Sequence, residues 1–209
     1  IYDALTHVDT IDIVDPGVIP QAVFDRDRPA VMRGLVSHWP AVEHPAENFD
    51  ALKDYLSKFW IQRPVTAYVA PPKAKGRFGY NEAFNGFNFQ SGAASLADII
   101  ERIKEAQSGE DGRAIYVGST PVKEWLPGFQ EANPLKVPGG PLVNFWLGNR
   151  TTVSAHYDFP KNVACVVAGS RRFTLFPTEQ VDNLYVGPID RTPSGQPFSL
   201  VDFDEPDFD

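Results

Sequence analysis

The chain has 209 residues, 43% of them hydrophobic and 12% aromatic, which predicts a globular protein with one sizeable core. Its formal net charge of −8 argues against a nucleic-acid partner held through phosphates. With a single cysteine, Cys165, a disulfide framework within the chain is excluded. No apolar run approaches the roughly 18 residues of a membrane span and no signal peptide is visible, so no membrane association and a cytoplasmic location are expected.

The first half of the chain is predicted to mix short strands with helices. Four segments have the alternating or continuous apolar pattern of strands: residues 8–14, 30–34, 65–69 and 114–119. Two amphipathic helices are predicted over 48–60 and 95–106, the second with Ser95 as its N-cap. Residues 70–91 are rich in glycine, proline and aromatic residues. They predict a loop-and-hairpin region that either forms a substrate rim or caps an open end of a barrel.

The second half is predicted to consist of hairpins. An apolar strand over 142–148 turns and pairs with a strand over 151–158. A two-residue turn then joins strands 163–167 and 171–176. Thr178 is a candidate N-cap for a short helix that follows.

His156 and Asp158 are two residues apart on one predicted strand, so their side chains share a face. An imidazole nitrogen and a carboxylate oxygen can both bind one divalent metal at about 2.0–2.2 Å. The pair is two thirds of the 2-His-1-carboxylate triad that suits non-heme Fe(II). By itself, however, this three-residue pattern more often marks a surface His and Asp that flank a packed Tyr157.

The second predicted hairpin adds two polar residues to this face. If Ala168 pairs with Arg171 across the turn, Asn162 and Arg171 lie on the same side. A buried arginine needs an anion, and its planar fork suits a carboxylate. Two candidate metal ligands, an amide and a guanidinium would then converge inside one barrel. This combination predicts a site for an acid that chelates the metal. Cys165 faces away from them and is expected to be a buried, inert thiol.

The C-terminal third of the chain, residues 144–209, resembles a known family. It is similar to the cupin-like, JmjC-type Fe(II)/2-oxoglutarate oxygenases, in particular the group similar to the asparaginyl hydroxylase that acts on hypoxia-inducible factor. The matching residues are His156-Tyr157-Asp158, Asn162, Gly169 to Arg171, Leu175-Phe176-Pro177, Leu184-Tyr185 and Val201-Asp202-Phe203-Asp204. The N-terminal two thirds fits the family only loosely.

The resemblance implies a fold that is mainly β with helices, of the α+β class. A double-stranded β-helix (cupin or jelly roll) would follow an N-terminal α/β segment. The chain would be a single JmjC/cupin-like domain over 1–209, with N-terminal strands and helices in 1–113 and the barrel portion in 114–209. Four strands are predicted after residue 142, so an eight-stranded roll would borrow strands from the N-terminal half or lack its last ones.

The resemblance also implies roles for individual residues. His156 and Asp158 would bind Fe(II). Arg171 would stand where a lysine commonly binds the far carboxylate of 2-oxoglutarate. Asn162 and Tyr116 would line the pocket of this cosubstrate.

The chain departs from the family pattern three residues before the metal-binding histidine. Relatives often have a threonine there that donates to the cosubstrate, whereas this chain has Val153. Thr152 or Ser154 would therefore have to replace it, or the bond is absent.

The second departure concerns the other metal-binding histidine of the family, which lies on a late strand. No histidine follows His156 in this chain. The remaining histidines precede the predicted barrel strands: His7, His38 and His44. Because the chain starts without Met and stops in an acidic stretch, we expect a fragment of a longer protein. The alternative is a natural short protein that has lost the site.

Three functions are compatible with these observations. The first is an Fe(II)- and 2-oxoglutarate-dependent dioxygenase that hydroxylates a protein or peptide side chain. The second is a non-catalytic cupin-like domain that binds a small acid or a partner protein, which the missing histidine favours. The third is a metal-binding cupin of another chemistry, which would not need Arg171. The resemblance is also compatible with a homodimer.

Overall fold

The computed structural model of the protein describes residues 6–43, 48–108 and 112–205. These residues form a mixed α+β fold with short strands and an antiparallel sheet, consistent with a jelly roll and in agreement with the predicted class. Two compact units interleave along the chain. No helix within the three described ranges is long and apolar enough to cross a bilayer.

The regular elements are short. In chain order they are β1 (Asp9–Asp12), α1 (Gln21–Phe24), β2 (Ala30–Arg33), α2 (Pro40–Glu43), α3 (Phe49–Ser57), β3 (Val65–Ala70), β4 (Arg77–Phe78), β5 (Gln90–Ala94), α4 (Leu96–Ser108), β6 (Ala114–Pro121), α5 (Val122–Trp125), α6 (Phe129–Ala132), β7 (Asn144–Gly148) and β8 (Thr152–Val153). Two 3-10 helices span Pro72–Ala74 and Thr178–Leu184. The predicted strands and helices of the first half are confirmed, with ends that differ by a few residues.

The first unit comprises Ile1–Ile61, Pro121–Asn144 and Cys165–Gly169. Its strands β1 and β2 pair in parallel. Helix α3 begins after Asn48, whose side-chain oxygen accepts from the backbone N–H of Asp50 at 2.9 Å. This cap satisfies a backbone donor that has no partner inside the helix, so it defines where α3 starts.

A buried amide connects three helices of this unit. Oδ1 of Asn133 accepts from the backbone of Ala41 at 3.0 Å and from the hydroxyl of Tyr55 at 3.1 Å. Its nitrogen donates to the backbone oxygen of Phe129 at 2.8 Å. Because every polar atom of the Asn133 side chain has a partner, the amide can be buried in an apolar cluster without an unpaired group.

Cys165 packs against the same cluster, which includes Trp39. Burial raises the pKa of its thiol to about 11. The thiol therefore stays protonated at neutral pH, as expected for an inert cysteine.

The second unit comprises Gln62–Thr120, Phe145–Ala164 and Ser170–Asp209. Its four-stranded sheet has the order β5-β3-β6-β7, and β3 runs antiparallel to both β5 and β6. Helix α4 begins as predicted, because Oγ of Ser95 accepts from the backbone N–H of Asp98 at 3.0 Å. Its apolar face is buried through Leu96, Ile99, Ile100 and Ile103.

Aromatic rings fill the interior beside this sheet. Phe78 is buried, and its ring centre lies 5.5 Å from that of Phe89 and 5.7 Å from that of Tyr116. Tyr68 meets Phe89 edge to face at 5.5 Å. Two aromatic residues of the region 70–91, Phe78 and Phe89, thus pack in this interior, whereas the choice between a substrate rim and a cap on a barrel end stays a prediction.

The predicted hairpin of strands 142–148 and 151–158 is wrong. Strand β7 lies beside β6, whereas β8 pairs in parallel with β4. The side chain of Asn149 explains the change of direction, since its oxygen accepts from Ile115 at 2.9 Å and its nitrogen donates to Arg113 at 2.8 Å. These bonds tie the turn to β6, and the chain leaves towards β4 instead of returning along β7.

The second predicted hairpin is also wrong, because residues 159–176 contain neither a strand nor an isolated bridge. Phe173 and Leu175, which strand alternation would have placed on one face, are both more than half exposed. The 3-10 helix that follows confirms the predicted short helix but not its cap. Thr178 makes no capping bond, and its hydroxyl lies 3.3 Å from Oε1 of Glu179.

Candidate functional site

The predicted metal-binding pair lies on a segment that pairs with a later part of the chain. His156 forms an isolated antiparallel bridge with Phe198. Opposite residues in an antiparallel pair have numbers with a constant sum, so the same register sets Asp158 opposite Gln196. Phe198 is buried and stacks on Tyr80, with ring centres 4.9 Å apart. The later segment therefore has a defined position beside the pair.

The ring proton of His156 is on Nδ1. This nitrogen lies 2.9 Å from the backbone oxygen of Ser154, and because a carbonyl can only accept, Nδ1 must donate. In the neutral ring the lone pair is then on Nε2, which has no hydrogen-bond partner among the described residues. In metal-binding histidines, a hydrogen bond from one ring nitrogen to a carbonyl commonly orients the ring so that the other nitrogen faces the metal.

Both oxygens of the Asp158 carboxylate accept from side-chain amides. Nδ2 of Asn162 donates to Oδ2 at 2.9 Å. The amide of Gln196 has both of its polar atoms satisfied when its nitrogen faces the carboxylate. In this orientation Gln196 donates to Oδ1 of Asp158 at 3.0 Å. The same nitrogen lies 3.3 Å from the backbone oxygen of Tyr157. Each carboxylate oxygen keeps a further lone pair with which it could bind a metal ion.

His156 has a lone pair on Nε2 and the carboxylate of Asp158 is oriented by amides, so the chemistry of both groups suits ligands of a 2-His-1-carboxylate centre. The described part of the chain contains no group of three His, Cys, Asp or Glu residues that could hold a metal ion. His38 is engaged instead with the backbone oxygen of Pro134 at 3.1 Å, and His7 is exposed. His44 lies outside the described residues.

Two of the predicted cosubstrate residues lie within electrostatic range of each other. Burial raises the pKa of Tyr116, and the positive charge of Arg171 acts against that rise, so the guanidinium lies near the phenol. The guanidinium carbon of Arg171 is 5.9 Å from the ring centre of Phe173. Thr152 is half-buried in β8, where its backbone N–H donates to Gly76 at 2.8 Å. The cosubstrate roles of these residues stay predictions.

The expectation that the site is enclosed within this chain is wrong. The side chains of His156, Asp158, Asn162 and Arg171 are all exposed. The reason is that residues 159–176 do not form the hairpin that would have faced the pair. Two clefts, of about 300 and 220 Å³, lie elsewhere: the first is bordered by Arg102 and Arg113 among others, and the second by Lys123 and its neighbours.

Gln196 was missed by the sequence analysis. The local sequence around it, with Ser194, Gly195 and Pro197, has the composition of a turn. Only the bridge between His156 and Phe198 brings it to Asp158. A search for polar residues opposite the His-x-Asp segment would have needed that long-range register.

Comparison with known proteins gives a consistent picture. A family model described as a cupin-like domain matches residues 18–209. The chain is 25% identical over 173 residues to the Jumonji C domain-containing protein 5 of Drosophila melanogaster, a match that covers 78% of this chain and 39% of that protein. It is 26% identical over 167 residues to the human bifunctional peptidase and (3S)-lysyl hydroxylase JMJD7, covering 72% and 48% respectively. The matches thus cover less than half the length of either relative.

Proposed function

Because the chain belongs to the cupin-like domain family, we propose that it carries part of the active site of an Fe(II)- and 2-oxoglutarate-dependent hydroxylase. The substrate would be a side chain of a protein or peptide. Two of its relatives support the class, since one is named for a Jumonji C domain and the other as a (3S)-lysyl hydroxylase. The finer likeness to the asparaginyl hydroxylase group stays a prediction.

The observation that carries the proposal is the hydrogen bond that sets the tautomer of His156. Its Nδ1 donates to the carbonyl of Ser154, so Nε2 is left as a lone-pair donor, two residues from an oriented carboxylate. An exposed histidine with no ligand to bind would gain little from a fixed tautomer, because water can satisfy both ring nitrogens. His156 would hold Fe(II) through Nε2 and Asp158 through a carboxylate oxygen, and the proposal requires a third donor from outside the described residues.

The remaining residues would act on the cosubstrate. With Fe(II) and 2-oxoglutarate bound, O₂ would be the oxidant for C–H hydroxylation: 2-oxoglutarate would supply two electrons and leave as succinate and CO₂, and the C–H bond would supply the other two. The guanidinium of Arg171 would bind the far carboxylate through parallel N–H donors. The half-buried ring of Tyr116, on which the charge of Arg171 acts, would form a wall of the same pocket, and Thr152 would also line it. Asn162 would either stay on Asp158 or turn its amide to the cosubstrate.

The test is turnover by the complete protein. Succinate release from 2-oxoglutarate would be measured with Fe(II) and a library of peptides. We expect succinate release that depends on Fe(II) and is lost in His156→Ala, while His7→Ala, a change at an exposed histidine outside the site, behaves as the unmodified protein. Absence of succinate and CO₂ with every substrate, or full activity of His156→Ala, would contradict the proposal.

A non-catalytic cupin-like domain is the second candidate. It is favoured by the exposure of His156 and Asp158 and by the lack of a third donor among the residues described. Such a domain would bind a small dicarboxylic acid through Arg171 without turnover. Calorimetry of the complete protein with 2-oxoglutarate, with and without a divalent metal, separates the two: binding that needs no metal and yields no succinate favours this second function.

A further inference from the structure

The carboxylate of Asp158 is held unequally at its two oxygens. The donor on Oδ1, Gln196, lies on the segment that pairs with the His-x-Asp stretch, is half-buried, and also reaches the backbone oxygen of Tyr157. The donor on Oδ2, Asn162, is exposed and belongs to a stretch without a strand or bridge. Oδ1 is therefore the better fixed of the two oxygens.

The segment that carries Gln196 is itself strongly anchored. The backbone N–H of Ser199 donates to Ala155 at 2.8 Å, and its buried hydroxyl contacts the backbone oxygen of Leu184 at 2.5 Å. The preceding residue, Phe198, stacks on Tyr80 at 4.9 Å with an interplanar angle of 11°. A residue two or three positions from these contacts has little freedom to follow the movements of an exposed carboxylate.

The loop before Gln196 is anchored by the same aromatic residue. The hydroxyl of Tyr80 lies 2.7 Å from the backbone oxygen of Pro188 and 2.8 Å from that of Arg191. The guanidinium of Arg191 donates in turn to the backbone of Asn85. Contacts on both sides of Gln196 therefore hold its backbone in place.

We propose that Gln196 is a positioning residue for the metal ligand Asp158. Its amide holds Oδ1 and so directs Oδ2 to the metal, which favours binding through one carboxylate oxygen. The inference rests on the proposed function, because it assumes that Asp158 is a metal ligand. Hydrogen bonds to the oxygen that does not bind the metal commonly orient such carboxylates, and their loss weakens metal affinity about 10- to 100-fold.

The experiment uses the complete protein and Co²⁺ as the probe. Gln196→Met keeps the length of the side chain and removes the amide, and Gln196→Ala is a second variant in case the first does not fold. Gln180→Met is the matched control, because Gln180 is exposed and its amide oxygen accepts from Asn183 at 2.8 Å, away from the carboxylate. The dissociation constants for Co²⁺ and, at saturating metal, for 2-oxoglutarate would be measured together with the Co²⁺ absorption spectrum and the melting temperature.

We expect Gln196→Met to weaken Co²⁺ binding about 10- to 100-fold and to change the Co²⁺ spectrum, with the affinity for 2-oxoglutarate and the melting temperature unchanged. A purely structural residue would instead lower the melting temperature and weaken both ligands. If Co²⁺ affinity were unchanged in both Gln196 variants but lost in Asp158→Ala, the role of Gln196 would be refuted and the proposed function would stand. If Asp158→Ala also bound Co²⁺ normally, the proposed metal site itself would be refuted.

Discussion

Two side-chain networks in this protein use the same amide chemistry in opposite surroundings. Around Asn133, buried donors and acceptors of helices α2, α3 and α6 meet one amide, and all of its polar atoms are paired. Around Asp158, two amides meet one exposed carboxylate. The first network replaces water that burial has removed, whereas the second orders a group that water could already solvate.

This difference separates stability from function. A hydrogen bond that satisfies a buried group prevents a penalty of about 1–3 kcal/mol. An exposed hydrogen bond contributes much less to folding, so the arrangement around Asp158 has little effect on the stability of the fold. It would matter for a ligand that needs the carboxylate already oriented, which is the role that we propose for it.

The largest expected effect is at the carboxylate. Asp158→Ala should weaken Co²⁺ or Fe²⁺ binding by well over about 100-fold, because loss of a direct ligand exceeds the loss of its hydrogen-bonded neighbours. The free energy of unfolding should change by no more than about 0.5 kcal/mol, as for other exposed positions. Metal titration and urea unfolding of the complete protein measure both quantities. A large loss of stability would contradict this prediction, because it would show that Asp158, like Asn133, stabilises the fold.

The converse is expected at the buried amide. Asn133→Ala leaves the Ala41 N–H and the Tyr55 hydroxyl without their partner and should lower the free energy of unfolding by about 2–4 kcal/mol. Metal affinity of the folded fraction should not change. Asn183→Ala, at an exposed amide, is the control and should lower stability by about 0.5 kcal/mol or less. Chemical denaturation followed by circular dichroism checks this, and a stable Asn133→Ala would contradict it.

Arg171 allows a test of the predicted cosubstrate pocket that does not depend on turnover. Arg171→Ala should weaken 2-oxoglutarate binding about 10- to 100-fold, since charge-assisted hydrogen bonds contribute about 1.5–3 kcal/mol. It should also raise the pKa of Tyr116 further, because the positive charge that opposes the effect of burial is removed. Calorimetry and ultraviolet titration of the phenol measure the two effects. Arg172→Ala, one residue further along, serves as the control.

The smallest effect is expected at Cys165. With a pKa raised to about 11, its thiol should resist alkylation at pH 8 in the folded protein and react once the protein is unfolded. Because the folded-state pKa lies above the ordinary value of 9.0, this residue favours folding below pH 9 and ceases to do so as the pH rises from about 9 to 11. Mass spectrometry of alkylated protein checks the first statement. Rapid labelling without denaturant would show that the core around Trp39 is open.

Elements whose signals are local were predicted well. Helices α3 and α4 start after Asn48 and Ser95 because those side chains accept from backbone donors two or three residues later. Strands β3 and β6 follow from short apolar runs. For Cys165, the apolar run around it was enough to predict an inert thiol, and the structure agrees.

Pairing between distant segments was not predictable in the same way. The apolar patterns of 142–148 and 151–158 gave no indication that β7 would join β6 or that β8 would join β4. The side chain of Asn149 decides this by bonding to β6, and a turn signal read from sequence does not show which strand a turn residue will contact. The residues 163–176 likewise have the composition of a hairpin without forming one.

The amino-acid sequence by itself determined the class of the fold, the caps and apolar faces of its helices, and the choice of His156 and Asp158 as candidate ligands, because each depends on residues within a few positions of one another. Only the tertiary structure decided which strands are neighbours, which nitrogen of His156 bears the proton, and that Gln196 reaches Asp158. The strand order and the contact of Gln196 with Asp158 depend on hydrogen bonds between residues far apart in the chain, and their partners are set by the register of the folded backbone rather than by local composition. The proton on His156 is set by Ser154, two residues away, but only the folded backbone directs that carbonyl to Nδ1.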